Sequence, residues 1–428
     1  MRLLYSLIWT VLLPVVLARL WWRGRREPGY RQHIDERFGF YSSFSASRTI
    51  WVHAVSAGET RAAEPLVRGL LENYPDASIL LTHMTATGRE AGAQLFGQNP
   101  RVTQAFLPYD LCLLVRRFLR HFRPQLCVLM ETEVWPNLIA TCQQEKVPVA
   151  LVNARLSERS LRKAQRLSSL ITPAAKAISV IAAQTSEDAS RLQSLSGNAP
   201  AITGNIKFDV SVPQQQLNAG AAMRAQCGTR PVLLCASTRD GEEALILEAF
   251  LKKWPRGNTT QNAPLLLLVP RHPQRFDAVA EMLAQAGLQI LRRSALTTTE
   301  HTAALASADV LLGDSMGEMF MYYAMADLAF IGGSLLPFGG HNLIEACAIG
   351  KPVLIGLHTF NFSDVTGQAI AAGAALRCAD AGCMLESASE LLSDPAGRQQ
   401  MGSRALTFFH QHQGATARTL QVLKPYLS

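Results

Sequence analysis

The sequence is sparing with charge and aromatics: of its 428 residues, 17% are Asp, Glu, Lys or Arg and 7% are aromatic. Hydrophobic residues make up 48%, which is the composition of a globular chain. Low-complexity tracts and short-period repeats are absent, so a repeat architecture is excluded. The eight cysteines (Cys112, Cys127, Cys142, Cys227, Cys235, Cys347, Cys378 and Cys383) form no CxxC pair. Cys127 and Cys235 stand inside apolar runs, where cysteine acts as a small hydrophobe. That usage describes a reduced, cytosolic chain rather than a disulfide scaffold. No GxGxxG fingerprint occurs, which argues against a dinucleotide-binding dehydrogenase. No DNA- or RNA-binding signature accompanies the net charge of +8, so an anionic membrane surface or an acidic substrate is expected before nucleic acid.

A chain of 428 residues exceeds one ordinary core, so two domains are expected. Its N-terminus is uncharged from Leu3 to Ala18 and is followed by Arg19, Trp21-Trp22 and the run "RGRRE". A signal peptide carries its charge before the apolar run and a small-residue cleavage site after it; here the order is reversed. The apolar length is borderline for spanning a bilayer, and Pro14 interrupts it. A buried core helix is one reading. Tryptophans beside arginines form an interfacial pattern, which favours a membrane anchor over residues 1–26 with the remaining chain on the cytoplasmic side.

Short apolar runs then alternate with amphipathic segments, which predicts βαβ units and parallel sheets. The expected strands in the first half are 49–55, 78–84, 126–131, 148–153, 178–184 and 201–203; those in the second are 231–236, 264–269, 288–292, 309–312, 328–332 and 352–356. A polar stretch at 212–230 is expected to link a domain over 27–211 to one over 231–405, with a terminal helix at 406–428. Two doubly wound halves would leave a cleft at the carboxyl ends of their strands, where ligands bind in such sheets.

The loops after the strands are therefore the places to look for chemistry. After the first strand comes Ser56-Ala57-Gly58-Glu59. Glu59 is either a helix-start acid or a base; a helix N-terminus would favour its ionised form. "METEVWPN" places Glu131 and Glu133 after a buried strand, on one side by alternation. "NARLSERS" adds Asn153, Arg155 and Arg159, which with Arg162, Lys163 and Arg166 make a basic helix start suited to an anionic acceptor or simply to solvent. Lys207, in "TGNIKFD", is a single cation that could offset phosphate charge. In the second half, "VPRHP" sets Arg271 and His272 at a strand end, and "GDSMGEMF" offers Met316, Gly317 and Glu318. "GGSLLPFGGHNLIEA" leads through glycine pairs to His341, Asn342, Leu343, Ile344 and Glu345. Its glycines free backbone amides for a phosphate, and a helix dipole would add to them. Glu345 is expected on the same helix face as His341, where it could accept from a ribose diol or simply cap. No convincing third metal ligand is evident.

Six ordered motifs, "HAVSAGE", "METEVWPN", "GNIKFD", "PRHP", "GDSMGE" and "GGHNLIEA", following an apolar N-terminus, resemble the 3-deoxy-D-manno-octulosonic acid (Kdo) transferases of lipopolysaccharide synthesis. The resemblance spans nearly the whole chain. The family often has Val where Ala57 stands and Pro where Leu343 stands, and neither side chain carries the chemistry. The resemblance implies an α/β GT-B glycosyltransferase fold of two Rossmann-like domains plus a membrane helix. It implies a CMP-Kdo donor, a lipid A precursor (lipid IVA) as acceptor, inversion at the transferred sugar, and neither metal nor cofactor. Residue by residue it makes Glu59 the general base and gives Glu131 and Lys207 transition-state roles. It assigns CMP binding to Arg271-His272, Met316-Gly317-Glu318 and Asn342-Leu343-Ile344-Glu345. An inner-membrane location follows from the acceptor. The competing readings are a GT-B enzyme using a uridine nucleotide sugar (a lipid-linked N-acetylglucosaminyl transferase or an epimerase) and a membrane-bound binding protein with a dead site.

Overall fold

The computed structural model describes residues 1–25, 27–255, 263–296 and 302–428, so Arg26 of the arginine cluster lies outside the described residues. The chain forms two compact units, Met1–Val210 with His412–Ser428, and Ser211–Gln411. In the first unit the strands are β1 (Thr49–His53), β2 (Ser78–His83), β3 (Val102–Phe106), β4 (Leu126–Met130), β5 (Val149–Ala154), β6 (Val180–Ala183) and β7 (Ala201–Ile202). They make one parallel sheet in the order β3-β2-β1-β4-β5-β6-β7. β1, β4 and β5 are buried at every position, as expected of parallel strands covered on both faces. Alternation divides their side chains between two cores. Ile50, Val52, Leu126 and Val128 pack with Leu66, Val67 and Leu70 of the helix Ala57–Asn73. Trp51, Cys127 and Leu129 pack with Phe118 and Phe122 of the helix Cys112–Phe122.

The second unit repeats the scheme with β8 (Val232–Thr238), β9 (Leu265–Pro270), β10 (Ile290–Arg292), β11 (Val310–Leu312), β12 (Leu328–Ile331), β13 (Val353–Ile355) and β14 (Ala375–Arg377). Their order is β10-β11-β9-β8-β12-β13-β14, again parallel. In each sheet the first strand lies between neighbours reached by connections running in opposite directions: β1 between β2 and β4, β8 between β9 and β12. The crevice at such a switch point is where open α/β sheets bind ligands.

The twelve expected strands are present within a residue or two at either end, and the structure adds β3 and β14. Both are edge strands with weak apolar patterns, "VTQAF" and "ALR". The polar stretch expected to be a linker holds a helix, Gln214–Gln226, packed within the second unit. Arg224 pairs with Asp327 at 3.1 Å, and Asp327 also accepts from the Val232 amide. Gly220 lets the Met321 carbonyl close on the helix; a Cβ there would lie 2.3 Å from that oxygen. Of the C-terminal helices, Ala415–Leu423 returns to the first unit, where the Asp209 carboxylate accepts from the Gly414 and Thr416 amides. The unit boundary falls near 412 rather than the expected 406. The helix Arg2–Arg23 has no buried residue and is the one described helix long and apolar enough to cross a membrane.

The close contact at Gly220 sets a test of sign. Helix propensity alone makes Gly220→Ala stabilising by about 1 kcal/mol. Crowding against the Met321 carbonyl reverses this, and we expect a net loss of about 1–3 kcal/mol in chemical denaturation. A stabilised variant would show that this helix is not packed as described.

Candidate active site

Each unit carries its own cluster at its switch point. In the first, Ser56 caps the helix Ala57–Asn73, its hydroxyl accepting from the Glu59 amide at 3.4 Å. The Glu59 carboxylate folds back over that cap. It accepts from the Val55 amide at 2.8 Å and the Ser56 hydroxyl at 3.2 Å. This is a variant of the reciprocal capping box, so Glu59 is a helix-start acid as well as a candidate base.

The carboxyl is not held ionised by its helix, contrary to expectation. Loss of solvent pushes its pKa up to about 7, and the charges of Glu133 and Glu131 add to that rise. The hydrogen bonds from Val55 and Ser56 pull the other way and are outweighed. Burial raises the Glu133 carboxyl too, although the Trp135 indole donates to it at 2.7 Å. Glu131 is the compensated member. It is buried, and its two oxygens meet Lys207 Nζ at 2.7 Å and the Arg155 guanidinium at 3.3 Å.

The backbone aims Glu131. β4 ends at Met130, and Glu131 itself has φ of +59°, a left-handed conformation that costs a non-glycine residue about 1–3 kcal/mol. Asn153, at the corresponding end of β5, has φ of +50°. Its side-chain oxygen accepts from the Ile206 amide at 3.0 Å, which fixes the turn Ile206–Asp209 that presents Lys207. Arg155 therefore belongs with Glu131 and not with the basic helix start. Arg159, Arg162, Lys163 and Arg166 are exposed along the helix Glu158–Arg166 and line a groove of about 480 Å³.

In the second unit, Arg271 and His272 follow β9 as expected. Arg239, at the carboxyl end of β8, donates to His272 Nε2 at 2.8 Å. Partial burial and the charges of Arg239, Arg271 and Arg275 lower the His272 pKa, which favours the neutral ring. Burial, with the charges of Arg271 and Arg239 adding to it, drops His341 to about 3. Glu318 accepts from Arg293 at 2.9 Å and from the Ser315 hydroxyl. Met316 is exposed, and the Gly317 carbonyl accepts from Gln216 at 2.8 Å.

Two expectations for the glycine-rich stretch change. The helix there is only Ile344–Ala348, with Leu343 at its cap, so His341 precedes it and does not share a helix face with Glu345. Five residues also leave little dipole for a phosphate. Asn342 makes the local turn, accepting from the Ile344 amide at 3.1 Å and donating to Glu345 at 3.5 Å. The side chains of Leu343 and Ile344 are fully buried, so only their backbone is placed to meet a ligand.

Arg239 and Glu242 were not singled out from the sequence. Glu242, fully buried, accepts from the amides of Gly333, Ser334 and Leu335 at 2.6–2.9 Å and from that of Arg239 at 2.9 Å. It holds the loop after β12 against the loop after β8. The signal was available: "STRDGEE" occupies the place in the second half that "VSAGE" occupies in the first. Among the described residues, no three His, Cys, Asp or Glu side chains group as a metal site requires.

Known proteins resemble this chain in fold and in sequence. The full-length UDP-GlcNAc 2-epimerase structure from Neisseria meningitidis superposes with a TM-score of 0.58 at 15% identity, covering 88% of this chain and 100% of that one. That likeness is one of fold alone. With two seven-stranded parallel sheets, the chain has the GT-B fold of glycosyltransferases. A family model described as 3-deoxy-D-manno-octulosonic-acid transferase (kdotransferase) matches residues 32–210. The 3-deoxy-D-manno-octulosonic acid transferase of Bordetella pertussis is 46% identical over 433 residues, covering 100% of this chain and 99% of its own. The enzyme of the same name from Haemophilus influenzae is 37% identical over 435 residues, with the same coverage. The chain belongs to the Kdo transferase family and is a glycosyltransferase.

The crowding of carboxylates predicts a titration. Carbon NMR of labelled glutamates should show Glu59 losing its proton near pH 7, and Glu133→Gln should move that midpoint down. A midpoint in the ordinary carboxylate range in the parent chain would show that Glu59 is well solvated.

Proposed function

We propose that the protein transfers Kdo from CMP-Kdo to a lipid A precursor such as lipid IVA, with inversion and without a metal ion. Glu59 is the general base. It takes the proton of an acceptor hydroxyl as that oxygen bonds to the anomeric carbon, and CMP leaves with the electrons of the bond it breaks. The observation that carries this reading is the Glu59 carboxyl itself, at the switch point of its sheet with a pKa near 7, where a base and its conjugate acid are both accessible at neutral pH. Glu131 and Lys207 form a fixed ion pair in the same unit and serve the charge redistribution of the transition state.

The donor belongs to the second unit. Arg271, His272 and Arg239 present cationic and polar groups to the CMP phosphate, while Met316-Gly317-Glu318 and the backbone of Asn342–Glu345 hold the nucleoside. Arg239 is the addition to the residues expected from the sequence. The groove lined by Arg159, Arg162, Lys163 and Arg166 suits an acceptor that carries phosphates. The apolar helix Arg2–Arg23 supports attachment at the inner membrane, with the chain on the cytoplasmic side, where such an acceptor is found. Uridine nucleotide sugars, the alternative donors, have only the shared fold in their favour.

We expect Glu59→Ala to lower transfer by about 10²–10⁴-fold while CMP binding, followed by calorimetry, is unchanged. In the parent enzyme kcat/KM rises with pH through a midpoint near 7, because the base works only when deprotonated. Near-normal turnover by Glu59→Ala would remove the base assignment.

A further inference from the structure

The helix Arg2–Arg23 does not project freely from the first unit. Its half-buried residues are Tyr5, Ser6, Trp9, Leu13, Val16, Leu17 and Leu20, a stripe at helical spacing along its whole length. The two ends of that stripe are fixed to the same unit. Near the N-terminal end the Tyr5 hydroxyl donates to Asp110 at 2.9 Å, Asn137 donates to the Ser6 hydroxyl at 2.9 Å, and the Trp9 ring lies 6.0 Å from that of Tyr109. At the C-terminal end Arg31 donates twice to the Trp21 carbonyl, at 3.0 and 3.1 Å, and Arg23 sits over the ring of the buried Tyr30. The turn Pro28–Arg31 that carries Tyr30 and Arg31 is itself seated on the unit, with Gly29 against Ala86.

From residue 5 to residue 21 the helix rises about 24 Å. Were it to cross the bilayer, Tyr5 and Ser6 would stand on the opposite side from Arg31, with most of the hydrocarbon thickness of about 30 Å between them. Asp110 and Asn137 could then not reach them. Asp110 is committed to this unit, because its carboxylate also accepts from the Asn137 and Leu138 amides at the start of the helix Pro136–Gln144. The contacts at both ends are compatible with one placement only: the helix lies along the unit.

The opposite face says what covers it. Leu3, Leu4, Leu7, Ile8, Val11, Leu12 and Val15 are exposed, Leu3 by 88%, and Trp21 and Trp22 follow at the arginine-rich end. An apolar face bordered by Trp and Arg is complementary to the acyl and headgroup layers of an anionic leaflet. Beside the docking point, on the helix that starts two residues after Asp110, exposed Leu113 and Arg117 stand one turn apart, with Arg117 over the exposed Phe40 ring. They extend the same chemistry onto the unit.

We propose that this helix is an in-plane attachment, docked on the first unit by one stripe and sunk into a single leaflet by the other. This rests on the membrane placement proposed above and adds its topology. The test uses the full-length chain with an epitope tag at each end, expressed in a bacterium, and a protease added to sealed inner-membrane vesicles of known orientation. An in-plane helix leaves both tags on one side, so both are cleaved in inside-out vesicles and both survive in right-side-out ones. Cleavage of the N-terminal tag only in right-side-out vesicles, with the C-terminal tag cleaved only in inside-out ones, would overturn the proposal and leave membrane attachment standing. Recovery of the chain in the soluble fraction would remove both.

Discussion

Three carboxylates gathered at the carboxyl end of one sheet are the constraint on which the first unit's site depends. Glu59, Glu131 and Glu133 feel one another's charge in a partly dry space. They cannot all be ionised there without compensation. Among the described residues, cations pair with one of them, Glu131, through Lys207 and Arg155. Desolvation raises the proton affinity of Glu59, and the neighbouring carboxylate charges add to that rise. A helix N-terminus normally works in the opposite sense, and here it is outweighed by desolvation. The elements that hold Glu131 fast beside Glu59 are the left-handed turns at Glu131 and Asn153, and the Asn153 clamp on the Lys207 turn.

The second unit meets a different problem on the same scaffold, namely how to hold a glycine-rich loop beside a group of arginines. Glu242 solves it from underneath. A buried acid surrounded by backbone amides fixes the chain from Gly333 to Leu335 while leaving Arg239 and Arg271 at the strand ends. Gly333, with φ of +69°, lets the loop pass close to the His341 ring, which a Cβ would meet at 2.9 Å. His341 is kept neutral among the arginines, so the local positive charge is left to groups that hold it at any working pH.

Much of this was legible in the sequence. Twelve strands could be read because parallel, doubly covered strands are continuous apolar runs, and the acids after β1 and β4 stood out against them. What stayed hidden depends on distant parts of the chain. β3 and β14 lie at sheet edges, where neither face has to be apolar throughout. The helix Gln214–Gln226 is polar and looks like a linker because its packing rests on a missing side chain at Gly220 and on Arg224, not on an apolar stripe. Arg155 reads as part of a basic run until the fold turns it to Glu131, 24 positions earlier in the sequence. The shift at Glu59 could not be read at all, since it comes from burial in the folded unit and from carboxylates more than 70 positions away.

Family membership makes the chain a Kdo transferase, and the apolar helix supports the proposed transfer to a membrane-borne acceptor. The most direct measurement is mass spectrometry of the lipid product after incubating the purified full-length chain in detergent with CMP-Kdo and a lipid A precursor. The precursor should gain one or more Kdo units, with CMP released in equal number. An unmodified precursor, or modification only when a uridine nucleotide sugar replaces CMP-Kdo, would contradict the proposed transfer.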